Sequence, residues 1–483
     1  MIHNVRELKC RTPAFAAAPP AWHGSCDGPL SRRDPQPRAR ALTMTQRTLA
    51  DILPPDRNGF GLLRLVLALA VIVSHSFLLT TALNTSEPLF VATGLTLGQH
   101  AVQIFFVLSG VMVAASLAAA GSLWHFLAAR FLRVMPALAV CVLVTALIIG
   151  PLVTTLAPAD YFGAPATYLY IAKTLALTTG LAPLPGVFMD TPMAGQVNVP
   201  IYTLKYEVIC YLLLAAAGAL GLFRARALMI AAGIALTLAY GVHQALAGPV
   251  AAGGSIDLML RFLFCFGLGV AAYEARSRLP LHAAGVAGLF LIYALAHDTR
   301  LDIPALIVFS AYLALWLGRF RCGRLGAVTA RLDLSYGLYI WGWVVMQTLV
   351  TTYPAITALP LLGLTLLVAL PVATASWLLI ERPALGLKRR LRRSPAATGK
   401  KLALRALIKD EKVPMSYSTS SIAQARLQRL TTKSAATKIP AKPTAAAKAA
   451  GPDGEVTDET APAPFPTDGI ARTRLTRIAG KRV

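Results

Sequence analysis

Between Asn58 and Pro383 the chain alternates long apolar stretches with short polar connections. A helix crossing a hydrocarbon layer of about 30 Å needs roughly 20 apolar residues. Ten stretches meet or approach that length: 60–82, 98–119, 136–157, 200–222, 227–247, 258–275, 282–297, 303–318, 334–352 and 359–380. The pattern predicts an all-α fold, a polytopic transmembrane helix bundle of about ten spans. The stretches 282–297 and 303–318 are short and separated by Asp298, Arg300 and Asp302, which fits a hairpin turning at a membrane face.

Charge divides the chain into three parts. Residues 58–383 hold 16 basic and 10 acidic residues in 326, far below the quarter or so that soluble domains carry. Residues 384–483 hold 21 basic and 7 acidic, so this tail supplies +14 of the +24 formal charge. That distribution excludes an ordinary soluble enzyme and a uniformly basic nucleic-acid binder. Ten arginines fall in alternate connections: Arg130, Arg133, Arg224, Arg226, Arg276, Arg278, Arg319, Arg321, Arg324 and Arg331. The other connections offer Lys173 and Arg300. Basic residues stay on the cytoplasmic side, so both termini are expected there.

Residues 1–57 lack an apolar segment long enough for a signal peptide and read as a cytoplasmic, disordered extension, with Met44 as a candidate true start. Residues 58–383 form the membrane domain. After Leu387 the cluster Lys388, Arg389, Arg390, Arg392 and Arg393 is suited to anionic membrane lipid. The tail beyond it is too polar to fold and implies no specific nucleic-acid partner. The six cysteines show no CxxC pair or metal-type spacing, and Cys141, Cys210 and Cys265 sit in apolar runs, as buried thiols do.

Ionisable residues inside spans are costly and mark functional sites. The first span carries Arg64 and His75. Their 11-residue separation is three turns plus roughly 20°, which puts both on one helix face about 16 Å apart along the axis. Singly, each has a structural reading: an arginine snorkelling to the interface, a histidine hydrogen-bonded in a bundle. Arg130 and Arg133 are i, i+3 neighbours ahead of Pro136, and guanidinium forks on one face suit phosphate oxygens. In the fourth span Glu207 lies seven residues from Pro200, and His75 lies seven from the outer end of its own span. Equal depth permits a carboxylate–imidazole contact, the arrangement a general base requires. Pairing of Glu207 with Lys205 or Arg261 is the alternative.

These residues resemble the acyltransferase 3 family of bacterial integral-membrane O-acyltransferases over roughly residues 57–383. The resemblance rests on Arg64 and His75 with ten residues between them, the GxxxVxxFFVLSG stretch Gly98–Gly110, and Arg130-x-x-Arg133 before Pro136. It also rests on Tyr202, Leu204, Glu207 and Tyr211, on SYGLY at Ser335–Tyr339, and on the closing Glu381-Arg382-Pro383. It implies acyl-CoA, most often acetyl-CoA, as a cytoplasmic donor. It implies a hydroxyl on an extracytoplasmic carbohydrate or lipid-linked glycan as acceptor, no metal, and a bacterial inner-membrane location. His75, with Glu207, would be catalytic. Arg64, Arg130 and Arg133, with Ser335 and Tyr336, would bind the donor. Many family members have histidine where this chain has Gly342, between Trp341 and Trp343, so no role passes to that position.

Direct attack with His75 as base and a transient acyl-histidine are both compatible with this pattern. A secondary transporter or flippase is the rival reading, since intramembrane charges also build relays. No second copy of the Arg64–His75 pattern appears in the other half of the chain, as the repeats of transporters would suggest. The connection from Tyr161 to Pro200 is the longest outside the spans, with a short re-entrant or interfacial helix expected at Tyr168–Gly180, and it is the expected place of acceptor contact.

Overall fold

The computed structural model describes residues 48–391 apart from 55–56, 121, 179–180, 223–225 and 248–253. Helices stand at all ten apolar stretches. They are α1 (Phe60–Thr81), α2 (Leu97–Ala118), α3 (Leu123–Val144), α4 (Tyr202–Ala219) and α5 (Arg226–Ala247). There follow α6 (Ser255–Glu274), α7 (Ala283–Ala296), α8 (Asp302–Leu317), α9 (Ser335–Thr352) and α10 (Ala358–Ser376). Among the described residues extended pairing is limited to two isolated bridges, so the fold is all-helical. Among the described residues six helical segments are long and apolar enough to cross a membrane: Phe60–Thr81, Leu97–Ala118, Leu123–Val153, Val199–Ala219, Ser255–Glu274 and Ala358–Leu387. The apolar parts of α5, α7 and α8 are shorter, and α9 intersperses serine, threonine, tyrosine and glutamine among its apolar residues. The chain is a multi-pass helical membrane protein.

Local sequence explains the helix limits. Thr96 and Gln99 cap α2 reciprocally, each side chain accepting from the other's backbone N–H at 3.2 and 2.9 Å. The third span was expected to begin at Pro136. Instead α3 starts at Leu123, runs through Pro136, and continues by a wide π-type turn (Thr145–Ile149) to Val153. Proline is tolerated within membrane helices when neighbours satisfy the freed backbone groups. Arg130 and Arg133 therefore project from a rigid helix and not from a loop.

Helix α2 is the central post, packed most extensively on α6 and also on α1. Its crossing with α6 is close because Gly110 and Gly269 meet there; a Cβ on Gly110 would strike the Phe266 carbonyl, and one on Gly269 the Val107 carbonyl. Phe106 and Phe262 stack beside that crossing with centroids 4.4 Å apart. Helices α1, α9 and α10 form a second, smaller core around Ile72, Leu338, Trp343, Met346 and Ala373. Cys141, Cys210 and Cys265 are buried thiols, as their apolar surroundings predicted.

Within the expected N-terminal extension, Leu49–Ile52 forms one helical turn docked on the bundle, with Leu49 and Ile52 buried. The Leu49 and Ala50 amides donate to the Leu279 and Arg276 carbonyls at 3.0 and 2.9 Å. Met44, side chains after Leu387 and the chain after Leu391 lie outside the described residues.

Gly269→Val should force the α2–α6 crossing apart and cost about 1–3 kcal/mol by overpacking. A lowered melting temperature in detergent is expected; an unchanged one would contradict so close a crossing.

Candidate active site

Three helices converge on one carboxylate, and a second carboxylate adds a fourth element. Asp333, in the turn before α9, accepts from Arg64 Nη1 of α1 and Arg133 Nη2 of α3, both at 2.8 Å on the same oxygen. Its other oxygen accepts from the Ser335 hydroxyl at 2.6 Å. Arg133 also reaches Glu381 at 3.1 Å, whose second oxygen accepts from Ser376 at 3.2 Å. Glu381 ends a second wide turn, Trp377–Glu381, that follows α10. Burial alone would raise the Asp333 carboxyl, but Arg64 and Arg133, with the Ser335 hydroxyl, hold it well below the usual carboxylate range.

Beside this network lies a cavity of about 300 Å³ lined by Arg64, Arg130, Arg133, Glu207, Tyr211 and Tyr336, among others. The Tyr336 hydroxyl donates to the Val134 carbonyl at 2.8 Å, and the Arg133 guanidinium lies 5.4 Å from the centre of the Tyr336 ring. Arg130 differs from the other two arginines. Among the described residues it has no ion-pair partner, its Nε is buried without a hydrogen bond, and its guanidinium lies 5.9 Å from the Tyr211 ring centre. Tyr211 donates its hydroxyl to Glu207.

His75 lines a second cavity, of about 410 Å³, with Gln103, Gln196, Tyr202, Arg261 and Phe262. The imidazole meets Trp343 edge-on with ring centroids 4.8 Å apart. Its neighbour Ser74 donates to Glu87 at 3.0 Å, and Glu87 also accepts from the Leu97 amide at 2.7 Å. Burial pushes the Glu87 carboxyl upward against the lowering effect of those two bonds. The two cavities share Val102, Thr203 and Tyr339. At that partition the Tyr339 hydroxyl pairs with the Thr203 hydroxyl at 2.5 Å and donates to the Pro200 carbonyl at 2.9 Å.

The expected contact between Glu207 and His75 is absent: no hydrogen bond joins them among the described residues, and each lines its own cavity. Counting seven residues from Pro200 misjudged depth because Pro200 is not at the surface. The chain ahead of it enters the bundle as non-helical backbone, with Val187, Phe188, Val197 and Asn198 buried. Side chains of α9 satisfy that backbone: Gln347 donates to the Met193 and Gln196 carbonyls, each at 2.9 Å, and Trp343 donates to Gln196 at 2.8 Å. Asn198 in turn donates to the Ile340 carbonyl at 2.8 Å. Irregular backbone is tolerated at membrane depth only when buried in protein or lining a cavity, and both conditions hold here. The alternative pairings of Glu207 are absent too, since Lys205 lies over the Tyr206 ring and Arg261 pairs with Asp257 at 2.7 Å.

Arg64, Arg130, Arg133, Glu207, Ser335 and Tyr336 thus meet at one cavity, and His75 sits at the adjoining one. Asp333 escaped the sequence reading because one acid beside Arg331 looks like a solvated loop charge. Its only signal is its position two residues ahead of Ser335. Gln103 was hidden inside the Gly98–Gly110 stretch. The short helix expected at Tyr168–Gly180 lies at Pro165–Leu175, and the long connection contributes Pro192, Met193, Ala194 and Gln196 to the His75 cavity. Gly342 faces Ile72 of α1, where a Cβ would come within 3.2 Å, so α1 and α9 pack closely at this position.

The sequence comparison names the family to which this helical membrane bundle belongs. The acyltransferase-domain family matches residues 57–380, and the chain belongs to that acyltransferase 3 family. It is an enzyme that transfers acyl groups other than aminoacyl groups, which sets aside the transporter reading. The chain is similar to an "O-acetyl transferase" of Shigella phage Sf6, 28% identical over 346 residues, which cover 67% of this chain and 95% of the phage protein. No solved structure matches.

Asp333→Ala would leave two partly buried guanidinium groups without their shared partner, at a cost of about 3 kcal/mol. Because the Asp333 carboxyl is depressed, its contribution is fully present above the ordinary carboxylate range, near pH 4, and fades only as pH falls below it. Thermal melts should therefore show a wild-type advantage at pH 7 that is undiminished at pH 5. Equal melting temperatures at pH 7 would refute the bridging role.

Proposed function

We propose that the protein is a membrane O-acyltransferase, and specifically an O-acetyltransferase. It moves an acetyl group from cytoplasmic acetyl-CoA to a hydroxyl of a glycan on the far side of the bacterial inner membrane. The observation that carries this reading is the pair of adjoining cavities, one lined by arginines and the other by His75, with a shared wall at Val102, Thr203 and Tyr339. The similarity to a phage O-acetyl transferase supports acetyl as the group. Ten spans with both termini in the cytoplasm complete the reading, supported by the alternating arginine connections.

The donor enters from the arginine end. At about 300 Å³ that cavity is at the small end of ligand sites, so it takes the slender acylated arm while the nucleotide stays at its mouth. Arg64 and Arg133 are held by Asp333 and Glu381 and form a fixed frame. Arg130 is free of such a partner, and its unpaired Nε suits an anionic group of the donor. Ser335 and Tyr336 act on the donor indirectly, by orienting Asp333 and packing against Arg133.

At the shared wall the thioester meets the acceptor. The His75 imidazole takes the proton of the acceptor hydroxyl as its oxygen attacks the thioester carbonyl carbon. The carbon–sulfur bond breaks, the thiolate leaves with the donor arm, and the imidazolium returns its proton to the solvent or to the sulfur. Contact across the wall requires Tyr339 to release at least one of its two hydrogen bonds. Glu207, bonded to Tyr211, orients the donor side and takes no proton from His75.

Transfer from labelled acetyl-CoA in membrane vesicles tests this. His75→Ala should lower the rate at least 100-fold, the usual contribution of a general base, with donor binding retained. Arg130→Ala should raise the donor KM about tenfold without lowering the melting temperature, whereas Arg133→Ala should lower both stability and activity. Full activity in the His75 variant would end the assignment.

A further inference from the structure

Two side chains of the His75 cavity are left with hydrogen-bonding capacity that the protein does not use. Gln103 of α2 is 2% exposed, and neither its Nε2 nor its Oε1 has a partner among the described residues. Arg261 of α6 is 5% exposed; its buried Nε makes no hydrogen bond of normal geometry among the described residues, and the buried Tyr240 hydroxyl lies near its guanidinium. Both line the same cavity as His75. A buried amide with neither end satisfied carries the full desolvation cost of a donor and an acceptor, and such groups call for an explanation. Neutral hydrogen-bonding partners supplied by a substrate are one that fits the enzyme's chemistry.

The charges define which substrate. Among the described lining residues the ionisable side chains of consequence are His75 and Arg261. Arg261 already carries its counter-ion: Asp257, 2% exposed, lies 2.7 Å from its Nη2 and also accepts from Gln244 at 2.6 Å. An anionic occupant would have to share the guanidinium with that carboxylate in a buried setting, where like charges repel strongly. Other polar side chains at the cavity are carboxamides and hydroxyls, among them Asn84, Gln99 and Gln196. A carboxamide presents one acceptor and two donors side by side, which matches adjacent hydroxyls of a sugar ring.

Resting on the acyltransferase reading above, we infer that the His75 cavity holds an uncharged, hydroxyl-rich sugar residue as acceptor, with Gln103 and the Nε of Arg261 as its recognition groups. Gln103 Oε1 accepts from one sugar hydroxyl and Nε2 donates to a neighbour. The Arg261 Nε–H donates to a third oxygen. The pair positions the acceptor and takes no part in bond making.

The test uses full-length protein in vesicles, acetyl-CoA as donor, and methyl α-glucoside or the corresponding methyl glucuronide as acceptor probes. His75-dependent release of free coenzyme A with the endogenous acceptor of native membrane vesicles reports the acyltransferase chemistry separately from the probes. Its absence would sink the functional reading itself, whatever the acceptor data. With that release present, the wild type should prefer the neutral glycoside at least tenfold in kcat/KM. Gln103→Leu should raise the glycoside KM roughly tenfold or more while leaving the donor KM unchanged. Gln103→Leu should also be at least as stable as wild type, because no protein group pairs with the amide it removes. A raised donor KM in place of the acceptor KM, preference for the glucuronide, or failure of the variant to fold would each overturn the assignment.

Discussion

A single aspartate between two arginines fixes this enzyme. Through Asp333, helices α1, α3 and α9 are tied at one end of the bundle, and Glu381 adds the segment after α10. In an apolar bundle, packing alone gives little directional preference, because lipid tails compete with side chains on nearly equal terms. A charge network lacks that tolerance, since an unpaired ion in the interior is far more expensive than a misplaced leucine. The same network sets the register of α1, and the register of α1 decides where His75 faces. Position at the chemical end thus depends on electrostatics at the opposite end.

Much of this was legible in the chain. Hydrophobic runs located all ten helices, because the requirement for a long apolar stretch is nearly independent of tertiary context. Helical periodicity placed Arg64 and His75 on one face, and they line cavities that adjoin. Depth was not legible. The reading of Glu207 assumed that a span begins at the surface, whereas the backbone before Pro200 turns inward and is secured by Trp343 and Gln347. No periodicity announces a non-helical segment held by side chains almost 150 residues later in the sequence. The length of α3 was misjudged for a related reason, as Pro136 was taken as a beginning while the surrounding helices allow it in the middle.

The arginines show how residue type and residue role part company. All three carry the same charge and read alike in sequence. Two of them are already neutralised by carboxylates, and the third has a buried nitrogen without a partner. The same distinction between used and unused bonding capacity separates Trp343, whose N–H is spent on the Gln196 carbonyl, from Gln103, whose amide is not.

The thin wall of Val102, Thr203 and Tyr339 also bears on the membrane that holds the enzyme. Two hollows that meet at so thin a wall inside a membrane bundle are most of the way to a pore. The tyrosine hydroxyl, tied to a neighbouring threonine and a backbone carbonyl, fastens that wall with bonds that a passing solute would have to break. The partition between the two cavities is thereby also the seal of the bundle.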